Sequence, residues 1–401
     1  MQRARPAHLA LPAAERGLPV LPELAARLAA AADAGPEPVG GGAELRTAAC
    51  DHWARRGLPA APEDVLAAPG RQPLLLALFA SAGGEVLLTR PCSASYAPLA
   101  RLAGRLAYHV PVPAECGGVP DPVALLETVD RIRSEGGRPR FLVLSVADDT
   151  TGTVAPPEIV GEVCEAAAAE DLTVVSDETW RDVLHDPHGT VFVGPAEVAP
   201  RRVVVVSDLS GPLLPPAWPA AVARFPAAGT GPVLRDRALA VLAALRAELA
   251  PPVAAAAGWA LSGPEPVRTR TAAAARLYGT LGAALREQLA AAGVLCRPPQ
   301  AGPHLYADLG ELRGPLAARG VTDAVELEDR LCTALGRLLP GGHRFGDDPD
   351  ALRVRLSVLD LLGPAAEDRL SALGSPDPPA EPDVARALSR VAAAFRELAG
   401  T

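Results

Sequence analysis

Five short apolar runs, at residues 85–88, 106–110, 141–145, 172–176 and 203–206, constrain this 401-residue chain more than any other feature. Each is apolar on both faces, and helix-length segments separate them. Strands hidden on both faces need helices above and below, so the alternation predicts a mainly parallel sheet in a doubly wound α/β domain. Ala/Leu/Arg-rich helical patterns follow at 233–250 and 266–292. Residues 305–309 and 352–357 then read as strands of a smaller α+β domain, and a Pro-rich loop at 375–382 precedes a last helix at 383–398. The expected division is an Ala- and Pro-rich arm over 1–42, ending in Gly40-Gly41-Gly42, a large domain over 43–250, and a small domain over 251–401 that includes the long connecting helix.

Composition narrows the function classes. A net charge of −9 and a pI near 5.4 argue against a nucleic-acid footprint, and no basic run with interleaved aromatics occurs. With 49% apolar residues and a mean hydropathy of +0.17, the chain can bury a large core. Arg3, Arg5, Glu15 and Arg16 interrupt any signal-peptide core, and no stretch is long and charge-free enough to span a bilayer. A cytoplasmic protein with no membrane or nucleic-acid partner is expected. The six cysteines form no C-x-x-C pair, and His185 and His188 lie in a polar turn that reads as a solvated loop, so no metal site is expected.

The chain contains no lysine: all 38 basic residues are arginine. Asn is also absent and Ile occurs only at 132 and 159, the bias of GC-rich, actinobacterial-like coding. Such drift is cheap on a surface. At a catalytic centre it is not, because a guanidinium stays protonated and cannot form an imine.

In open α/β sheets ligands bind beyond the carboxyl ends of the strands, so the residues after each run carry most information. Residues 42–57, Gly70-Arg71-Gln72, Asp149-Thr150-Thr151-Gly152, Ser176-Asp177-Glu178-Thr179-Trp180 and 352–357 resemble, in order and spacing, the class I/II aminotransferases of the pyridoxal-phosphate fold-type-I superfamily. The resemblance covers the chain from about Gly40. It implies that fold, a homodimer, and roles for several residues. Asp177 falls at the carboxylate that pairs with the cofactor's pyridine nitrogen. Arg355 falls at the arginine that grips the substrate α-carboxylate with a bidentate fork. Thr151 and Gly152 match the end of the family's Asn-Pro-Thr-Gly turn. Arg71, Gln72 and Ser207 join Asp177 as cofactor-binding positions, should a cofactor be retained.

Five usual contacts differ. Ser210 stands for the imine-forming lysine, Trp218 for the phosphate arginine, Ser93 for the stacking aromatic, Asp149 for the Asn on the ring hydroxyl, and Trp180 for the Tyr beside it. A charged hydrogen bond to phosphate contributes about 1.5–3 kcal/mol and a ring stack about 0.5–1.5, so losing both together with the covalent imine should weaken cofactor affinity by several decades. No tightly bound cofactor is expected; pyridoxal or pyridoxamine phosphate could bind only non-covalently. Arg71 could either replace the lost phosphate partner or fill the phosphate cup.

The resulting expectation is a noncanonical biosynthetic enzyme of specialised, natural-product metabolism, acting on an amino-acid-like small molecule. Asp177, Asp149 and Ser210 are its candidate catalytic groups, and Arg355, Trp180, Ser93 and Trp218 its substrate-binding groups. If Asp177 and Asp149 share one dry cavity, at least one should have a raised pKa. Two alternatives stand beside this: a non-catalytic partner of an active enzyme, and a lysine-independent enzyme using loosely held pyridoxal or pyridoxamine phosphate. The first forty residues are too short and Pro-rich for the helix-turn-helix arm of a DNA-binding relative.

Overall fold

The computed structural model describes residues 16–400. Its centre is a seven-stranded sheet made of β1 (Val65–Ala68), β2 (Glu85–Arg90), β3 (Ala107–Pro111), β4 (Pro139–Leu144), β5 (Thr173–Asp177), β6 (Val203–Asp208) and β7 (Ala221–Arg224), in the order β1-β7-β6-β5-β4-β2-β3. The five apolar runs became β2 to β6, all mutually parallel. Only β7 runs against its neighbours, pairing antiparallel with β6 and β1. Sequence reading missed β1 and β7, because Val-Leu-Ala-Ala and Ala-Val-Ala-Arg carry little of the β-branched bulk that marks a strand.

Both faces of the sheet are covered, as both-face apolarity requires. Leu142, Val174, Val203 and Val205 face one core, which includes helices Ala43–Ala54, Pro122–Ser134 and Pro157–Ala169. Val143, Val175, Val204 and Val206 face the other, under helices Arg71–Ser81, Tyr96–Leu102 and Gly231–Ala244. The helix Pro22–Ala30, within the predicted arm, packs on Pro251–Leu261.

The helix expected over 233–250 ends early, spanning Gly231–Ala244, and a further helix that the sequence reading did not foresee follows at Pro251–Leu261. The chain turns between them at Arg246, in the left-handed region at φ 52°, and Pro251-Pro252 can begin a helix but not continue one. The long connecting helix, Glu265–Ala291, leads to a three-stranded antiparallel sheet of β8 (Leu295–Cys296), β9 (His304–Asp308) and β10 (Arg353–Ser357), ordered β10-β9-β8. A last helix spans Pro382–Ala399. No described helix is long and apolar enough to cross a membrane.

Candidate functional site

The parallel strands end on one edge of the large sheet, and there the structure gathers a buried ion cluster. Asp177 is the last residue of β5 and is 1% exposed. Its Oδ1 accepts from Thr179 N (3.1 Å) and Thr179 Oγ1 (2.5 Å), a local turn that fixes the carboxylate plane. Its Oδ2 accepts from Tyr96 Oη at 2.6 Å and from Arg71 Nη1.

Arg71 is the first residue of its helix, entered through Gly70 at φ 103°, a left-handed turn suited to glycine. Its buried guanidinium lies between the two carboxylates that the sequence singled out. Besides Asp177, Nη2 donates to Ser93 Oγ at 3.2 Å and to Asp149 Oδ2 at 3.4 Å, and the group lies 5.6 Å from the Tyr96 ring centre. Neither role foreseen for Arg71 is what the geometry displays: it reaches past the turn to the carboxylates. Asp149 Oδ1 accepts from Trp180 Nε1 at 2.8 Å and lies 3.4 Å from His304 Nδ1, with the His304 and Trp180 rings edge to face at 6.0 Å.

The electrostatics follow from Arg71. Burial alone would push Asp149 up, but the hydrogen bond with His304 and the positive charges of Arg71 and Arg355 hold it well below the usual carboxylate range. The rise expected for an unpaired carboxylate does not occur at Asp149, because the cavity contains a cation. Rises appear instead at two neighbours. Burial pushes Asp148 up to about 7, against hydrogen bonds from Thr151 and Thr150. Burial also raises Asp208, against the pull of Arg71 and a hydrogen bond from Ser210 N.

The stretch after β6 is built differently. Ser210 Oγ donates to Trp218 O (3.4 Å) and accepts from Ala220 N (3.3 Å), so it is engaged by its own loop. The next residue, Gly211 (φ 105°), is the one facing the cluster: a Cβ there would lie 3.3 Å from the Trp180 ring. Trp218 is half-buried against the core, and Pro219 lies beside the Gly70 turn. Gln72 is exposed at that turn, whereas Ser207 Oγ is buried and has no partner among the described residues. Arg355, on β10, is half-buried with its guanidinium 5.0 Å from the Phe345 ring centre.

The structure therefore brings Asp177, Asp149, Arg71, Ser93 and Trp180 together, and leaves Ser210, Trp218, Gln72 and Ser207 outside their contacts. Sequence reasoning missed Tyr96, Thr179, His304 and Asp208. Tyr96 lies three residues beyond Ser93, Thr179 lies inside a quoted motif, and His304 directly precedes the strand read at 305–309, so position could have found these three. Also corrected is His185: it is half-buried, its ring nitrogens 3.1 and 2.7 Å from the carbonyls of Pro299 and Gly302, and is no part of a solvated loop. No cluster of three or more potential metal ligands occurs among the described residues.

As arranged, these residues do not fit a pyridoxal ring. The carboxylate that would meet the pyridine nitrogen already has both oxygens engaged, its cation is supplied by Arg71, and the chain has no lysine to close an imine.

The fold has close counterparts. Structures of aspartate aminotransferase from Thermus thermophilus with maleate (TM-score 0.75, 22% identity, covering 95% of this chain and 90% of that one) and of aromatic aminotransferase from Pyrococcus horikoshii (TM-score 0.77, 19% identity, 96% and 95%) superpose over nearly the whole chain. In sequence, a probable aspartate/prephenate aminotransferase of Thermus aquaticus is 31% identical over 185 residues, 45% of this chain and 46% of that protein. The aspartate/prephenate aminotransferase of Thermus thermophilus matches to the same extent. Those matches span just under half the length of either relative. The family model of aminotransferase class I and II matches residues 21–360. With this match spanning most of its length, the chain belongs to the aminotransferase class I and II family.

Proposed function

We propose that this family member does not transaminate, and that its site takes an amino-acid-like small molecule without a pyridoxal cofactor. The observation that carries this reading is the Arg71 guanidinium, buried between Asp177 and Asp149. With that cation in place, both carboxylates serve to hold Arg71. Ligand contacts fall to groups around them: Arg355 for a carboxylate, with Ser93 and Trp180 as walls. Asp208 is the carboxyl suited to proton work, since burial raises its pKa and it ends β6 beside Ser210. The relatives' names suggest aspartate and prephenate as the first ligands to try, and specialised biosynthesis remains part of the proposal.

A second reading, a non-catalytic partner subunit, is favoured by one specific feature: four hydrogen bonds occupy Asp177, leaving that carboxylate little capacity for a substrate. Thermal shifts with amino acids, keto acids and amines, on the parent protein and on Arg355→Ala, separate the two. A saturable shift that vanishes in Arg355→Ala supports the ligand-binding reading; no shift with any compound favours the partner. Turnover of aspartate and 2-oxoglutarate with added pyridoxal phosphate would sink both. A homodimer, the family's usual assembly, is part of this reading and is checked by sedimentation.

A further inference from the structure

We infer that Arg71 is a resident cation, filling from within a slot for small planar cations that reopens when the side chain is shortened. The argument rests on what surrounds the guanidinium. One edge meets Asp177 through Nη1, and the other meets Ser93 and Asp149 through Nη2. Tyr96 contributes its ring at 5.6 Å and donates its hydroxyl to the same Asp177 oxygen. Asp208 adds a further nearby carboxyl whose titration responds to Arg71. Such a site specifies a flat monocation with N–H donors along its edges. It does not specify an arginine: Nε is buried and has no partner among the described residues, so the match is made by the two terminal nitrogens alone.

Deleting the side chain beyond Cβ leaves buried carboxylates without their cation, which is strongly unfavourable unless a replacement arrives. Guanidinium, methylguanidinium and imidazolium have the right charge and donors. A pyridinium ring has the charge and one N–H, so pyridoxamine phosphate serves as a bulkier probe of the same carboxylates. The inference builds on the cofactor-free reading above, but can fail separately from it.

The test compares the parent protein with Arg71→Ala in melting experiments with millimolar methylguanidinium, with tetramethylammonium (which has no N–H) at the same ionic strength, and with pyridoxamine phosphate. The expected result is a melting point several degrees lower in Arg71→Ala, restored saturably by methylguanidinium and not by tetramethylammonium. Neither methylguanidinium nor pyridoxamine phosphate should raise the parent's melting point. An unchanged melting point in Arg71→Ala, or equal responses to the two cations, overturns the inference. Should Arg71→Ala not fold, Arg71→Gln carries the same comparison. The parent titration decides in any case: saturable pyridoxamine phosphate binding would mean that Arg71 does not hold the slot, while leaving imine-free chemistry possible. Conversely, failure of ligand binding at Arg355 would leave the cation rescue untouched.

Discussion

Two stretches of chain meet at the carboxyl edge of the sheet, and they are built on opposite principles. Around Asp177 and Asp149, side chains from several elements converge and satisfy one another across sequence separations of up to about a hundred residues. After β6, from Ser210 to Pro219, polar groups are satisfied within the loop itself, and Pro212, Pro215, Pro216 and Pro219 shape its path. The contrast teaches that the site's charge chemistry is maintained by tertiary structure, whereas the stretch from Ser210 to Pro219 is local scaffolding. Substitutions in the first region should be costly and mutually dependent; those in the second, mild and independent.

The largest effect should come from Asp177→Ala, which strands the Arg71 charge in the interior: a loss of about 3–5 kcal/mol in denaturant unfolding. Trp180→Phe keeps the ring but removes the donor to Asp149, costing about 1–3 kcal/mol. If both substitutions act on one network, the double variant should lose less than the sum; strict additivity would break the comparison.

The pH dependence sharpens it. Asp148, raised to about 7 from 3.8, binds a proton in the folded state that the unfolded chain has released, so between those values its contribution to stability falls as pH rises. His52 is lowered to about 3 from 6.5 by burial and by Arg56, so it is neutral when folded and protonated when unfolded; its contribution is present above 6.5 and lost as pH falls toward 3. The two slopes oppose each other. In Asp148→Asn, stability should therefore rise more steeply from pH 4 to 7 than in the parent. An unchanged slope would mean that Asp148 does not retain its proton. The same carboxyl oxygen, Oδ1, accepts from Thr150 N, Thr151 N and Thr151 Oγ1, and an Asn can keep all three bonds.

The smallest effect belongs to the other stretch. Ser210→Ala removes two long contacts to backbone groups and should change stability by about 0.5 kcal/mol or less. A loss as large as that of Asp177→Ala would show that the loop is part of the cluster after all.

The sequence revealed the frame better than the wiring. Strands β2 to β6 could be read because both-face burial demands unbroken apolar runs. The short strands β1 and β7 could not, because alanine carries no strand signature. Motif order drew attention to Asp177, Asp149 and Trp180, yet not to how Arg71 joins them: the two carboxylates lie 106 and 78 residues away, one at the end of β5 and one in the turn after β4, and only the folded sheet brings them within reach. The orientation of Ser210 was equally hidden, since facing the cluster or the loop depends on a single residue of register, and the structure gives that place to Gly211.

The Arg71–Asp177 pair also changes what the fold owes to its surroundings. A protein stabilised by a free ligand gains roughly RT ln(1 + [L]/Kd), so its stability rises and falls with supply. An occupant attached to the backbone has no supply term: it is present at a fixed effective concentration from the moment the chain closes, and dilution cannot remove it. Any free molecule competing for the same carboxylates must displace a tethered rival rather than enter an empty seat.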